Sequence, residues 1–402
     1  MKSTVFKALA LSGLLAVTSN GFSLYDAAPP IGLPESHAMK YGVYASAGYD
    51  SNLNNSNSAN REDGGFVKYG VTASYADYEA ATKKNFTARI GGQLYNKTAM
   101  GTDERNFSDI SLSGTVSHAF SAGSQYVLDV DFDYTPEPDY SNGISSANTQ
   151  GNCLNWSLSN AYSRMIDCRW SWTAHVSYNG NVYTDSEYEQ DDRTYIAGGL
   201  SLNLRETSRT TYGLNTTIRH EDRSEGFDSD SWFTNLSVAH SLSPTDSFTL
   251  QLGVQAKFID GEANVYPTLD FSYRRVLTQG LSATAYVRYS NENVDTFSRS
   301  GNVNYLSDDT WRLGLNVDYV YTPTVSFHGG VDLIRSEYSK ARNGAPDYDT
   351  LTASFRIGMS YKFTQSLTGS INYHYTYGDP GSVSYIDHYE RNVISTGISY
   401  SF

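Results

Sequence analysis

The chain alternates apolar and polar residues with a period of two over most of its length. In the last nine residues, Ile394–Phe402, one face is largely apolar and aromatic, and the other carries Ser395, Gly397, Ser399 and Ser401. Segments of this kind recur about every 20 residues and are separated by turn-forming residues, as expected for strands. The pattern therefore predicts an all-β chain of about 18 strands (16 to 18).

The connections between these segments alternate in length. Short turns such as Ser243–Asp246 follow the even strands, and longer polar loops such as Pro136–Asn152 and Ser336–Asp349 follow the odd ones. An even number of strands with short turns on one side and long loops on the other is typical of a transmembrane antiparallel up-and-down β-barrel. Closing such a barrel requires Ile394–Phe402 to pair with Tyr41–Tyr49, which removes both sheet edges.

Two further features separate a membrane barrel from a secreted soluble β-repeat protein, which is the structural alternative. Aromatic residues recur at both ends of the apolar face, where a membrane barrel has its interfacial girdles. The opposite face is polar and carries charges at strand centres, including Asp131, Asp270 and Arg356. A water-filled lumen tolerates such charges, whereas a packed core would require a partner for each.

The N-terminal residues predict export. Lys2 and Lys7 precede the apolar run Ala8–Val17, which is too short to span a membrane. We expect a secretory signal peptide at 1–23, a short periplasmic lead-in at 24–36, and the barrel at 37–402. The expected location is the outer membrane of a two-membrane bacterium.

The net charge argues against a nucleic-acid-binding protein, and the cysteine positions argue against a disulfide. The net charge of −14 disfavours a nucleic-acid-binding protein, which would need a basic surface. Cys153 and Cys168 fall at opposite ends of one predicted strand, whereas a disulfide requires Cα atoms within about 7 Å. We therefore expect no bond between them.

Two stretches at the ends of the predicted barrel, Ala47–Leu53 (AGYDSNL) and Arg391–Phe402 (RNVISTGISYSF), resemble the beta-barrel porin 2 family. The resemblance implies an outer-membrane barrel, often associated with surface polysaccharides, and transfers no catalytic residues. The last strand also resembles the closing strand of bacterial outer-membrane barrels. That resemblance implies that Tyr400 and Phe402 form a signal read by the barrel-assembly machinery.

The densest carboxylate group on the predicted lumen face is Asp129, Asp131 and Asp133. Its spacing resembles the start of a calcium-binding loop, but Tyr134 and Tyr140 stand where an EF-hand needs Gly and Glu. The group is either a wettable part of the wall or a selectivity element with weak cation affinity.

Basic residues on the predicted lumen face lie at different depths and do not form one ring. The pore-lining candidates besides the three aspartates are His175, Arg219, Asp270, Arg288, Arg312 and Arg356. Acidic residues concentrate instead in the loops. The balance predicts a mildly anion-tolerant pore below an acidic rim, which either binds divalent cations that bridge to lipopolysaccharide phosphates or only keeps the loops solvated.

These patterns favour a porin-like channel for passive diffusion of small hydrophilic solutes or ions. The alternative is a component of surface-polysaccharide export or a structural, partner-binding barrel. We predict no enzyme, metal site or cofactor, because no catalytic or phosphate-binding motif is found. The expected partners are outer-membrane lipid and lipopolysaccharide, the assembly machinery, and small solutes or ions. The sequence predicts no oligomeric state.

We expect deletion of Phe402 to impair membrane assembly, because it removes the terminal aromatic of the assembly signal. The measurement is the fraction of protein recovered in the outer membrane in a heat-modifiable, folded form. Normal insertion of the shortened chain would contradict the assigned role of this residue.

Overall fold

The computed structural model describes residues 38–53, 61–79, 81–96, 106–135, 153–184, 192–224, 228–292, 305–341, 346–379, 381 and 388–402. These residues form 18 strands joined in one antiparallel sheet. The strands are β1 Ala38–Asp50, β2 Gly64–Tyr78, β3 Thr82–Tyr95, β4 Asn106–Ser121, β5 Ser124–Thr135, β6 Cys153–Met165, β7 Trp170–Tyr183, β8 Arg193–Arg205, β9 Thr210–Arg223, β10 Ser229–Ser241, β11 Asp246–Ile259, β12 Glu262–Thr278, β13 Leu281–Glu292, β14 Tyr305–Val320, β15 Val325–Ala341, β16 Tyr348–Lys362, β17 Leu367–Asp379 and β18 Tyr389–Ser401. Each strand pairs with its neighbours in sequence.

The ring is closed by the first and last strands. β18 pairs with β1 in the register Val43–Tyr400 and Tyr49–Ile394. The backbone N–H of Tyr41 donates to the carbonyl of Phe402 (3.2 Å), and the N–H of Phe402 donates back to Tyr41 (2.9 Å). The predicted strand number and the predicted closing pair are both confirmed.

The two faces of the sheet differ as the alternation predicts. In β18, Ile394 and Ile398 are 52% and 47% exposed, whereas Ser395 is 3% exposed. The polar face is the inner one, because its side chains meet across intervening strands: Tyr44 on β1 contacts Asp109 on β4. Such contacts form on the concave side of a curved sheet. The chain is therefore an apolar-outside, polar-inside transmembrane barrel.

Aromatic residues mark both ends of the outer face. Four exposed examples at the turn side are Phe120, Tyr212, Tyr361 and Phe402, and four at the loop side are Phe132, Trp232, Phe258 and Trp311. These positions match the predicted girdles. Amphipathic rings in such positions suit the boundary between lipid and water.

Five short turns share one hydrogen-bond pattern. The side-chain oxygen of the first residue accepts from the backbone N–H groups two and three positions later, in the turns that begin at Asp167, Thr207, Ser243, Thr322 and Thr364. Asp and Thr favour turns through such local bonds. At Asp167 the bonds from Trp170 and Arg169 lower the pKa of the carboxyl group.

One connection departs from the predicted alternation of lengths. The odd strand β11 is followed by a tight turn at Asp260 and Gly261 rather than by a longer loop. Both residues have positive φ, 50° and 80°. Asp-Gly is a favoured pair for a two-residue hairpin turn because Gly adopts positive φ without steric cost. The expectation of a long loop here was wrong.

Several expectations concern residues outside the described ranges. The signal peptide at 1–23 and the lead-in at 24–36 lie there, and so does much of the predicted acidic rim. In the described part, Cys153 begins β6 and Cys168 follows its far end, so the two thiols are separated by the length of a strand. No helix within the described ranges is long and apolar enough to cross a membrane.

A buried ion pair joins β1 and β18 at their loop-side ends. The Arg391 guanidinium on β18 donates to both carboxylate oxygens of Asp50 on β1, from Nε at 3.1 and 3.0 Å and from Nη2 at 2.5 Å. Both side chains are 0% exposed. Ser51 exchanges bonds with Asn392, and the side chain of Asn52 donates to the carbonyl of Glu390. We call Asp50–Asn52 with Glu390–Asn392 the closure clasp.

We expect Asp50→Asn to destabilise the barrel by about 3–5 kcal/mol, because it removes the carboxylate charge that the buried Arg391 guanidinium binds. The measurement is the urea midpoint of the detergent-solubilised barrel. The control is Arg335→Gln, which removes exposed ion pairs with Glu337 and Asp349 and should cost at most about 1 kcal/mol. A shift no larger than that of the control would refute the role of the clasp.

Candidate pore lining

A group of charged side chains lies on the inner face of β12 to β16. Arg288 on β13 and Arg312 on β14 stand directly opposite each other. Like charges in directly opposite positions are destabilising, but each of these two arginines forms an ion pair with a different carboxylate. Arg288 binds Asp270 at 2.8 Å, and Arg312 binds Glu292 at 2.6 Å. The two pairs cancel most of the local charge.

A third arginine of this group, Arg356 on β16, is held by β14 and β15. Its Nη1 binds Asp332 at 2.8 Å, and its Nη2 donates to the side-chain oxygen of Asn316. Asp332 also accepts a 2.5 Å bond from the hydroxyl of Tyr286 on β13. The predicted residues Asp270, Arg288, Arg312 and Arg356 therefore lie in one part of the barrel wall. We call these four residues, together with Glu292 and Asp332, the ion-pair wall.

Inward glycines allow these contacts between alternate strands. Tyr286, Gly314 and Asp332 lie in one row across β13, β14 and β15. A Cβ atom on Gly314 would lie 2.2 Å from the Tyr286 ring and 2.5 Å from Asp332 Oδ1. Glycine leaves the space in which the two flanking side chains meet. The same arrangement holds for His175–Gly199–Thr217, for Arg356–Gly330–Asn316 and for Asn235–Gly253–Thr268.

A longer row of this kind crosses the first four strands. Tyr44, Gly70, Gly91 and Asp109 are in register, and the Tyr44 hydroxyl lies 3.5 Å from the Asp109 carboxylate. Asp109 is 1% exposed and also binds Lys68 at 2.9 Å and Arg89 at 3.0 Å. This second charged group braces the wall next to the closure clasp.

The other predicted pore-lining residues stand apart from these groups. Asp129, Asp131 and Asp133 share the inner face of β5, where Thr115 donates to Asp129 at 2.7 Å. His175 lies on β7, 3.4 Å from the Thr217 hydroxyl, and Arg219 lies on β9 between two aromatic rings. In a ring of 18 strands β5 is opposite β14, so the three aspartates and the ion-pair wall occupy facing sides.

Sequence reasoning missed the partners of the predicted residues. Glu292, Asp332, Asp109 and Lys68 were not singled out, although each holds a charge of the opposite sign. The pair Asp270 and Arg288 could not be read from the turn before Leu281, because a bulge between Val276 and Thr278 shifts the register by one residue. Inward glycines at strand centres were a usable signal.

Within the described ranges, no group of three or more His, Cys, Asp or Glu side chains is arranged to hold a metal ion. The charged groups of the inner face instead combine carboxylates with arginine or lysine. Charges of opposite sign are therefore paired in these groups of the inner face.

Comparison with family models matches residues 104–300 to the family described as "Protein of unknown function, DUF481". The matched stretch lies between the two end segments that resemble beta-barrel porin 2, and the comparison does not confirm that resemblance, which stays a prediction. No curated protein matches the sequence.

Solved structures of similar fold include OccK2 (OpdF) of Pseudomonas aeruginosa, with 11% identity, a TM-score of 0.50, and coverage of 92% of this chain and 100% of that one. OccAB2 of Acinetobacter baumannii has 10% identity and a TM-score of 0.48, with 90% and 98% covered. The FrpB iron transporter of Neisseria meningitidis has 10% identity and a TM-score of 0.45, with 92% and 83% covered. At such identities the likeness to OccK2 shows the barrel fold alone.

We expect Gly314→Ala to destabilise the barrel by about 1–3 kcal/mol, because the added methyl group overpacks the contact between Tyr286 and Asp332. The urea midpoint in detergent measures the effect. Gly198→Ala is the matched control, since its Cβ would meet no atom closer than 3.8 Å. Equal midpoints for the two variants would contradict the role assigned to inward glycines.

Proposed function

We propose that the chain is an outer-membrane channel for passive diffusion of small hydrophilic solutes or ions. The proposal rests on the inner face of the closed sheet. Charged side chains such as Asp131, Asp270 and Arg356 lie there, near the middle of their strands. Charges so placed suit a wall in contact with water. The size of a solute and the electrostatic field of the lumen wall would then determine whether it passes, with no chemical step.

The size of the ring supports this proposal. Eighteen strands spaced about 4.8 Å apart and tilted by about 40° give a circumference of roughly 110 Å and a backbone diameter of roughly 35 Å. Barrels of 16 to 18 strands are wide enough to enclose an aqueous channel. The inner side chains narrow this width unevenly, since the ion-pair wall and the Asp109 group lie on different strands.

The charge pattern favours weak selectivity. Arg288, Arg312 and Arg356 each have a carboxylate partner, so they add little net positive field. This pairing also weighs against polysaccharide export, the alternative function, because an exporter for acidic chains would benefit from a continuous track of unpaired basic or aromatic side chains. A structural or partner-binding barrel is the other alternative.

The proposed route and location follow from the sequence. The N-terminal signal would direct export, and Tyr400 with Phe402 would present the closing strand to the barrel-assembly machinery. In β18, Tyr400 is exposed on the outer face and its ring stacks with Phe402, 6.2 Å between centroids. The outer aromatic and apolar residues would contact outer-membrane lipid and lipopolysaccharide.

We expect the purified barrel to give stepwise open conductance in planar lipid bilayers, because the polar lumen passes ions without a gating ligand. A mock preparation from cells that do not express the chain is the control for contaminating porins. Insertion of folded barrels without conductance would refute the channel and would leave the exporter or scaffold as the better account.

A further inference from the structure

Arg219 on β9 lies between two inward aromatic rings. Its Cζ is 5.8 Å from the centroid of Tyr195 on β8 and 5.3 Å from that of Phe233 on β10. The residues directly opposite Arg219 are Ala197 and Ser231, whose short side chains leave space beside the guanidinium. Aromatic faces at these distances attract a cation and hold its plane.

The environment of Arg219 differs from that of the ion-pair wall. No salt bridge to Arg219 is formed within the described ranges, whereas Arg288, Arg312 and Arg356 all bind carboxylates. The acidic side chain nearest along the same strand face, Glu221, is 4% exposed and binds Arg223 at 2.9 Å. The outer nitrogens of Arg219 are therefore available to an acceptor that enters the lumen.

Lys257 adds positive charge in the same row. Arg219, Ser231 and Lys257 are in register across β9, β10 and β11. The Lys257 ammonium is committed to the wall, where it donates to Asn291 Oδ1 at 3.1 Å and to the carbonyl of Glu292 at 2.8 Å. Its positive charge makes the local electrostatic potential more favourable for an anion. The direct contact with the anion is made by Arg219.

Polar groups lie next to the aromatic rings on the side of the short turns. Thr217 precedes Arg219 by two residues on the inner face and stands opposite Phe233. Its hydroxyl lies 3.4 Å from His175 Nε2. The site thus combines a fork of N–H donors, two apolar ring faces, a hydroxyl and an imidazole.

We propose that Arg219, Tyr195, Phe233, Thr217 and His175 form a binding site for small carboxylated sugars passing through the lumen. The guanidinium fork matches a carboxylate, since it donates two parallel hydrogen bonds to the two oxygens. The parts of the two rings that the guanidinium leaves uncovered suit the C–H surface of a sugar, and Thr217 and His175 suit its hydroxyl groups. The proposal rests on the proposed channel function, which gives solutes access to this site.

The apolar ring faces separate this ligand class from inorganic anions. Phosphate would match the fork of Arg219 equally well, but it offers nothing to Tyr195 and Phe233. A neutral sugar would use the rings and the hydroxyl but leave the guanidinium without an acceptor. Of these three ligand classes, the carboxylated sugar alone uses all parts of the site.

The test is calorimetric titration of the detergent-solubilised full-length barrel with galacturonate, galactose and inorganic phosphate. We expect galacturonate to bind, and galactose and phosphate to bind at least about tenfold more weakly. Arg219→Lys keeps the charge but loses the fork, and Phe233→Leu removes one ring face. Each should weaken galacturonate binding by roughly tenfold or more.

The matched control is Arg274→Gln, which removes an exposed inward arginine near the short turn after β12. It should leave galacturonate affinity unchanged. Heat-modifiable mobility of every variant verifies folding. Wild-type affinity in Arg219→Lys, or phosphate binding as tight as galacturonate, would overturn the proposed site.

Planar-bilayer recordings of the same samples separate the two proposals. Open conductance without galacturonate binding would refute the binding site and leave the channel intact. Galacturonate binding that depends on Arg219, in a barrel without conductance, would refute passive diffusion and leave the binding site standing. With both proposals correct, galacturonate reduces the open current of the wild type and has no such effect on Arg219→Lys.

Discussion

The pairing of the first strand with the last is the constraint on which the barrel depends. Without it, β1 and β18 would each expose a row of unpaired backbone groups within lipid, where no water can satisfy them. The closure clasp strengthens this pairing with a buried ion pair between residues 341 positions apart. It combines the two stretches singled out from the sequence, since Asp50 comes from the first and Arg391 from the second.

The interior is organised by rows rather than by layers. In a flat sheet, side chains on alternate strands are too far apart to bond unless they are long. Here the curvature of the wall and a glycine on the middle strand bring them together, as with Tyr286 and Asp332 across Gly314. Polar contacts between side chains therefore stiffen the inner face of the barrel. On the outer face, the apolar residues are stabilised by contact with lipid.

The fold was largely predictable because its period is two and its turns are short. The faces of β18 and its pairing with Tyr41–Tyr49 follow from alternation and from the need to close the ring. The pairing of Asp270 with Arg288 could not be predicted from the tight turn alone, because a bulge between Val276 and Thr278 shifts the register. Contacts such as Arg356 with Asp332 could not be predicted either, since a longer connection separates β15 from β16 and leaves the register open. Lys68 and Asp109 are two strands apart, so their contact depends on curvature, which no local pattern encodes.

The tight turn at Asp260 and Gly261 has a consequence for access to the lumen. Lys257, in the same row as Arg219, precedes this turn by only three residues, which is about 10 Å of strand. A two-residue turn adds almost no chain above the rim of β11 and β12. An anion that arrives from that side meets the field of Lys257 and Arg219 soon after it reaches the rim. Two positive side chains this close to the loop-side end of the strands favour electrostatic capture, so encounter rates for anions should depend on ionic strength.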